Sequence, residues 1–239
     1  MLWLQALIVN TALIALAHRL PLLTRLGWVH AGVLGTVLWG SLGWSGWLSV
    51  VLYLGLGSAV TKLGIKDKQQ RGLAEARDGR RSPVNVWGSA STGATLALFV
   101  SAGIEPKEWF LVGFAASFAA KLADTFGSEI GKRWGRSPRL ITSLRRVAPG
   151  TEGAISLEGT AASALGSLMM AAVMWSLAVV PSLTLFAVVA LVGFVATLAE
   201  SVLGALVQTR IPWMSNELVN VLQTSFAAIV MIGLMPLIP

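Results

Sequence analysis

Residues 121–160 read KLADTFGSEIGKRWGRSPRLITSLRRVAPGTEGAISLEGT, the longest polar stretch in an otherwise apolar chain. Placed on a helix at 100° per residue, Lys121, Asp124, Thr125, Ser128 and Glu129 share an arc of about 140°. Leu122, Ala123, Phe126, Gly127 and Ile130 take the other side. One cation, two carboxylates and two hydroxyls thus line up at the end of an apolar segment. An amphipathic helix lying on a membrane surface would give the same wheel; a polar site at the membrane boundary is the competing reading. Downstream, Gly150, Gly153 and Gly159 interleave with Thr151, Ser156 and Thr160. Glycines let backbone amides approach an anion closely, although turn chemistry alone also favours them. Following a carboxylate-bearing helix and a basic run, the loop becomes a candidate phosphate cradle.

Working outward, the 239 residues are 55% hydrophobic and only 12% charged. A soluble domain carries about 25% charged residues, so the chain is an integral membrane protein. Without cysteine there are no disulfides, thiolate metal ligands or cysteine nucleophiles. His18 and His30 are too few for a histidine metal cluster. The start of the chain has neither a basic segment nor a small-residue cleavage site, and reads as a retained span. Residues 62–81 hold seven Lys/Arg and residues 121–146 another seven, fourteen of the eighteen present. The positive-inside rule puts both segments on the cytoplasmic side, where they could also draw in a polyanionic substrate. No binding fold or interleaved stacking aromatics point to nucleic acid.

In chain order, a first span covers residues 2–17. Residues 28–61 are too long for one span of about 20 residues, and GWSGW at 43–47 suggests a turn between two short helices. Further spans are expected at 85–102, 108–120, 160–180, 183–207 and 217–237. Thr197, Glu200, Ser201, Gly204, Ala205 and Gln208 form a polar stripe, which should face the bundle interior because a lipid-exposed carboxylate is costly. Asn216, Asn220, Gln223 and Thr224 do the same on the last span. Both stripes are either interhelical hydrogen bonding or a cavity lining. Seven of the ten tryptophans, among them Trp3, Trp28 and Trp213, lie near span ends as an interfacial belt. The expected fold is all-α, a polytopic transmembrane bundle of about 7–8 helices with two basic cytoplasmic loops, in one membrane domain covering 1–239.

KLADTFGSEIG, PRLITSLRRVAPGTEGAISLEGT, ESVLGALVQ and SNELVNVLQTS occur here in the order seen in a family of polytopic membrane proteins once labelled only as of unknown function. The chain resembles its plant and cyanobacterial branch, the phytyl-phosphate kinases, related more distantly to CTP-dependent phytol and polyprenol kinases. Glu152, Glu158 and Glu200 carry the likeness to that branch. The resemblance implies phosphoryl transfer from a nucleoside triphosphate, with CTP as expected donor, to phytyl monophosphate. Phytyl diphosphate would then feed tocopherol and phylloquinone synthesis. Expected partners are an isoprenoid lipid phosphate, a nucleotide and the bilayer, in the plasma or thylakoid membrane of a phototroph; oligomeric state stays open. Under this reading Asp124 and Glu129 hold Mg²⁺, while Lys121, Thr125 and Ser128 bind phosphate oxygens. The second phosphate group falls to Gly150, Thr151, Glu152, Gly153, Ser156 and Glu158. Arg80, Arg81, Arg139, Arg145 and Arg146 are candidates to offset charge, and Glu200, Asn216 and Asn220 close the cavity near the acceptor. A cytidylyltransferase would use the same apparatus, and a transporter of a small organic anion could share the buried polar stripes.

Overall fold

The computed structural model describes residues 1–208, 210–211 and 213–238. Its helices are α1 (Leu2–Ala17), α2 (Arg25–Lys62), α3 (Ile65–Gln70), α4 (Pro83–Ser101), α5 (Lys107–Trp134), α6 (Leu157–Ser176), α7 (Leu183–Leu203) and α8 (Asn216–Leu234). The strands β1 (Arg139–Leu140) and β2 (Ala154–Ile155) pair antiparallel. Five segments are long and apolar enough to cross a membrane: 25–62, 107–134, 157–176, 183–208 and 216–237. The expected all-α bundle is what forms.

Side-chain caps set the helix starts. Thr24, Ser156, Ser182 and Ser215 each accept a backbone N–H in the first turn of their helix. Ser82 and Asn85 form a reciprocal capping box with Pro83 in the first turn of α4. The 38-residue α2 is two helices. Gly43 leaves the helical region at φ 70°, ψ −168°, and the chain folds back on itself. Trp39 and Trp47 then meet with ring centroids 5.1 Å apart. Gly27 and Gly57, near opposite ends of α2, both lie against Arg81. The turn expected at GWSGW thus falls on its first glycine, a residue that adopts positive φ without strain.

The central helix is α5, which packs against α2, α4, α6, α7 and α8. Its residues 112–123, VGFAASFAAKLA, are all buried. A helix that is apolar nearly all round belongs inside a bundle, and small residues let its neighbours approach. At Gly127 an added Cβ would come within 2.0 Å of the Ser163 hydroxyl on α6. The span expected over 108–120 and the helix drawn through 121–129 are one continuous helix, which runs on to Trp134. Its polar arc therefore faces the interior of one end of the bundle, which excludes a surface-lying amphipathic helix.

The loops 18–24, 63–82 and 135–156 and the described residues of the α7–α8 connection (204–208, 210–211 and 213–215) gather at that same end. Backbone pairing of residues 22 and 24 with Arg81 joins the first two. Gly153 packs on Ser201 and Ala205, which brings the third to the fourth. All Lys and Arg except Lys107 belong to this end.

Candidate functional site

A cavity of about 450 Å³ is sunk into the charged end of the bundle. Its floor is α5, which supplies Lys121, Asp124, Thr125, Ser128, Glu129 and Lys132. The loop before α4 contributes Glu75, Arg77, Arg80 and Arg81, and the β1–β2 clasp contributes residues 149–156. Thr197, Glu200 and Ser201 enter from α7, Asn216 and Asn220 from α8. Asp124 and the 150–156 turn, 26 residues apart in sequence, thus line one space.

The α5 arc is already internally paired. Lys121 forms an ion pair with Asp124, and its Nζ also donates to Asn220 Oδ1 at 2.9 Å. Thr125 Oγ1 donates to the Lys121 carbonyl at 2.9 Å and Ser128 Oγ to the Thr125 carbonyl at 3.3 Å. Both hydroxyls keep lone pairs but must rotate to donate to a phosphate. Glu129 pairs with Lys68 of α3, the two side chains only 3% and 0% exposed. Lys68 Nζ donates as well to the Thr61 carbonyl at 2.8 Å. Each of the two carboxylates expected to hold a metal, Asp124 and Glu129, is thus engaged by a lysine ammonium, and Glu129 is the more deeply buried of the two. Among the described residues no three His, Asp or Glu side chains converge to form a metal cage. Glu200 makes no ion pair among the described residues.

The clasp is built on left-handed backbone at Gly150 (φ 83°) and Gly153 (φ 72°). An added Cβ at Gly153 would lie 2.5 Å from Ala205 Cβ and 2.6 Å from the Ser201 carbonyl. Only glycine fits this contact, through which α7 holds the loop over the cavity. Thr151 Oγ1 donates to the Ala148 carbonyl at 2.7 Å, and Ser156 Oγ caps α6 by accepting from Gly159 N at 3.1 Å.

Fifteen expected site residues line the cavity: Lys121, Asp124, Thr125, Ser128, Glu129, Arg80, Arg81, Gly150, Thr151, Glu152, Gly153, Ser156, Glu200, Asn216 and Asn220. Arg139, Arg145, Arg146 and Glu158 do not. The first three are exposed on the outer arm of the clasp, where Arg139 Nη1 donates to the Leu144 carbonyl at 2.7 Å and Arg139 and Arg146 bridge through their backbones. Glu158 sits in the first turn of α6, where a carboxylate suits the helix dipole. Sequence reading missed Glu75, Arg77 and Lys132. Lys132 was within reach, since eleven residues is three helical turns and returns it to the stripe of Lys121. Glu75 and Arg77 sit in an irregular loop that offers no periodicity.

Lys132 Nζ donates to Glu75 at 2.7 Å. Burial acts to raise the Glu75 carboxyl, yet Lys132, backed by Lys121 and Arg81, outweighs it and holds the group below its usual value. Glu152 moves the other way. Partial burial raises it, with Asp124 and Glu75 adding to the rise against the pull of Lys132. By contrast, Arg77, Arg80 and Arg81 have no carboxylate partner among the described residues. Arg77 Nη2 donates to Asn85 Oδ1 at 3.0 Å, and Arg81 Nη1 to the Tyr53 hydroxyl at 2.6 Å. Three uncompensated guanidinium groups around a glycine turn and buried carboxylates make this cavity suited to a polyanion.

Apolar helices enclosing a charged cavity at one end define a polytopic integral membrane protein. The chain belongs to the family described as Integral membrane protein DUF92, whose model matches residues 8–228. It is 46% identical over 235 residues to an uncharacterized membrane protein of Synechocystis sp., covering 97% of this chain and 91% of the relative. It is 38% identical over 237 residues to Protein VTE6, chloroplastic, of Arabidopsis thaliana, covering 96% and 71%. An uncharacterized membrane protein of Methanocaldococcus jannaschii is 30% identical over 204 residues, covering 85% and 82%. The cyanobacterial and plant likenesses agree with the branch to which the motifs pointed. No solved structure matches the chain.

Proposed function

We infer that the chain is a membrane-embedded lipid-phosphate kinase, moving the terminal phosphoryl group of a nucleoside triphosphate, with CTP as expected donor, onto phytyl monophosphate. The observation that carries this reading is the convergence of Asp124, the 150–156 turn and three carboxylate-free arginines on one cavity. The motif resemblance implies phytyl diphosphate as the product, destined for tocopherol and phylloquinone, and likeness to the chloroplastic VTE6 protein supports a place in tocopherol synthesis. The same likeness favours a thylakoid or plasma membrane. The cavity end carries every Lys and Arg but Lys107, which by the positive-inside rule faces the cytoplasm or its plastid equivalent.

The acceptor is a phosphate oxygen, already anionic at neutral pH, so the site needs no strong general base. It needs charge neutralisation and alignment. The acceptor oxygen forms a bond to the γ-phosphorus as the bond to the β–γ bridging oxygen breaks, releasing the nucleoside diphosphate. Arg77, Arg80 and Arg81 offset the charge of the two reactants, with Lys121 beside Asp124 and the clasp amides on the nucleotide side. The donor set fits a Mg²⁺ ion carried in by the nucleotide better than a resident one, because such an ion asks for only one or two carboxylates. Asp124 would hold it, with Glu200 as second carboxylate, and it would neutralise charge on the β- and γ-phosphate oxygens.

The test is purified protein with phytyl monophosphate and γ-labelled CTP, products resolved by chromatography. Label in phytyl diphosphate is expected. A CMP-lipid with released pyrophosphate would mean a cytidylyltransferase, and lipid-phosphate uptake into vesicles without turnover a transporter. Asp124→Asn should cut transfer by about 100-fold or more while membrane insertion stays intact. Glu200→Gln should lower it by at least about tenfold. Full activity in Asp124→Asn overturns the assignment.

A further inference from the structure

A second cavity, of about 340 Å³, lies between α1, the two halves of α2 and α4. Its walls are Leu13, Ile14, Leu34, Leu38, Val50 and Leu54, with further apolar residues around them. Asn10, the most polar group deep in it, is spent: Nδ2 donates to the Ala6 carbonyl at 2.8 Å, and Oδ1 accepts from Trp47 Nε1 at 2.9 Å. Trp28 Nε1, also in the lining, has no hydrogen-bond partner among the described residues, and Tyr53, Arg81 and Ser89 are the other polar groups there. The rest of the space is apolar, within the range of about 300–1,000 Å³ typical of small-molecule sites. Along α2 it runs about 15 Å from Trp28 to Leu38, at 1.5 Å per residue.

Two residues, Arg81 and Ser89, line both cavities. Arg81 is a fixed post at their junction. Its backbone is held by hydrogen bonds with Leu22 and Thr24, both at 3.0 Å. Its guanidinium lies over the Tyr53 ring, 5.1 Å from the centroid, and fits there because residue 57 is glycine: a Cβ would come within 2.6 Å of Nη2. On the outer side, Leu13 of α1, Leu20 in the loop that follows it and Val51 of α2 are 39%, 51% and 40% exposed, and Gly55 of α2 is exposed. The slot therefore opens to the bilayer at its flank and to the charged cavity at its end.

We propose that this slot holds the hydrocarbon chain of a single-chain isoprenoid phosphate, with Arg81 at the junction taking the phosphate into the charged cavity. The proposal rests on the kinase reading for the fate of that phosphate, but the slot itself is a binding site that can be tested without turnover. A tail arriving from lipid gains little hydrophobic free energy on leaving one apolar medium for another. The slot's contribution is positional. A tethered chain fixes where its head sits, and Arg81 is the cation beside that position.

Gly55 offers a clean obstruction, because a Cβ there meets nothing within 4 Å and the residue is helical. Gly55 is part of the slot lining, so Gly55→Phe adds a ring at its border. The ratio of kcat/KM for phytyl monophosphate over that for a five-carbon isoprenyl monophosphate should fall by at least about tenfold, the scale on which pocket shape discriminates. Val195→Phe, on a lipid-facing part of α7 outside both cavities, should keep the wild-type ratio. An unchanged ratio in Gly55→Phe overturns the slot. Independently, phytyl monophosphate bearing a photoreactive diazirine at the tail end is crosslinked to wild-type protein in nanodiscs. Adducts on α1 and α2 between Leu13 and Val50 are expected, competed by unmodified phytyl monophosphate. Adducts spread over the outer faces of α7 and α8 overturn the proposal even if phosphoryl transfer is normal. Slot adducts in a protein that transfers no label keep the slot and sink the kinase.

Discussion

Replacing Lys68 by methionine keeps most of the apolar stem of the side chain and removes its charge, leaving the Glu129 carboxylate buried without a partner. Loss of one member of a buried ion pair costs about 3–5 kcal/mol. Lys68 also caps the C-terminal end of α2 through the Thr61 carbonyl, worth about 0.3–1 kcal/mol more at a helix terminus. For a chain of this size each kcal/mol moves the midpoint by about 2–4 °C, so Lys68→Met should unfold about 7–24 °C below wild type. The assay is intrinsic tryptophan fluorescence in detergent at a fixed scan rate, because unfolding of such proteins is commonly irreversible. A double-mutant cycle carries the argument further. Glu129→Leu alone strands the ammonium, whereas Lys68→Met with Glu129→Leu removes both charges and should recover most of the loss. Should Lys68→Met melt like wild type while Glu129→Leu loses activity at full stability, Glu129 is free to serve a ligand and the structural role given to this pair is wrong.

The two loop carboxylates of the site give opposite pH signatures. Glu152 is raised, so its contribution to stability is present below the ordinary carboxyl value and lost as pH rises through the raised one; Glu152→Gln should gain on wild type only on the alkaline side, in midpoints followed against pH. Glu75 is lowered, so its contribution is present above the ordinary value and lost as pH falls through the lowered one; Glu75→Gln should melt below wild type at neutral pH and converge with it in acid. At Gly153 a methyl group meets both left-handed backbone and the main chain of α7, so Gly153→Ala should cost about 2–5 kcal/mol and lower phosphoryl transfer with it. Gly72→Ala has the same backbone sign with nothing within 4 Å, and should cost only about 1–2 kcal/mol without touching activity, measured by the same melts and transfer assay.

How far the sequence could be read follows from what an apolar solvent penalises. Lys121, Asp124, Thr125, Ser128 and Glu129 stood out because polar groups in a membrane segment are expensive, and a single helical wheel was enough to gather them. Glu200, Asn216 and Asn220 were legible for the same reason. The positive-φ glycines at 43, 150 and 153 marked reversals that the backbone then makes. The basic runs were less informative. Arginine has the same composition at positions 77 and 80 as at 145 and 146, but the left-handed pair Arg77–Asp78 (φ 58° and 55°) turns the first loop over the cavity, while the β1–β2 pairing leaves the second arm outside. Lys68 was taken as one charge of a vestibule. Its true partner lies 61 residues away on another helix, and no local pattern reports such a pairing.

The apolar slot was silent for a deeper reason. In a soluble protein the contrast between inward apolar and outward polar residues reveals which faces are buried. On α1 and both halves of α2 that contrast is weak, since residues facing lipid, residues facing the core and residues facing the slot are mostly leucine, valine, isoleucine, alanine, tryptophan or glycine. A charged cavity announces itself by the cost of its lining, whereas an apolar one in the same bundle costs nothing to line and leaves no mark. The first fifty residues, which carry no motif beyond hydrophobicity, therefore hold most of the walls of the slot. The joint between the two spaces is the one place where the chemistry changes, and there the sequence does carry a sign: Arg81 closes a basic run two residues before Pro83 starts a helix, with a glycine at 57 and the chain's only tyrosine at 53 shaped to receive it.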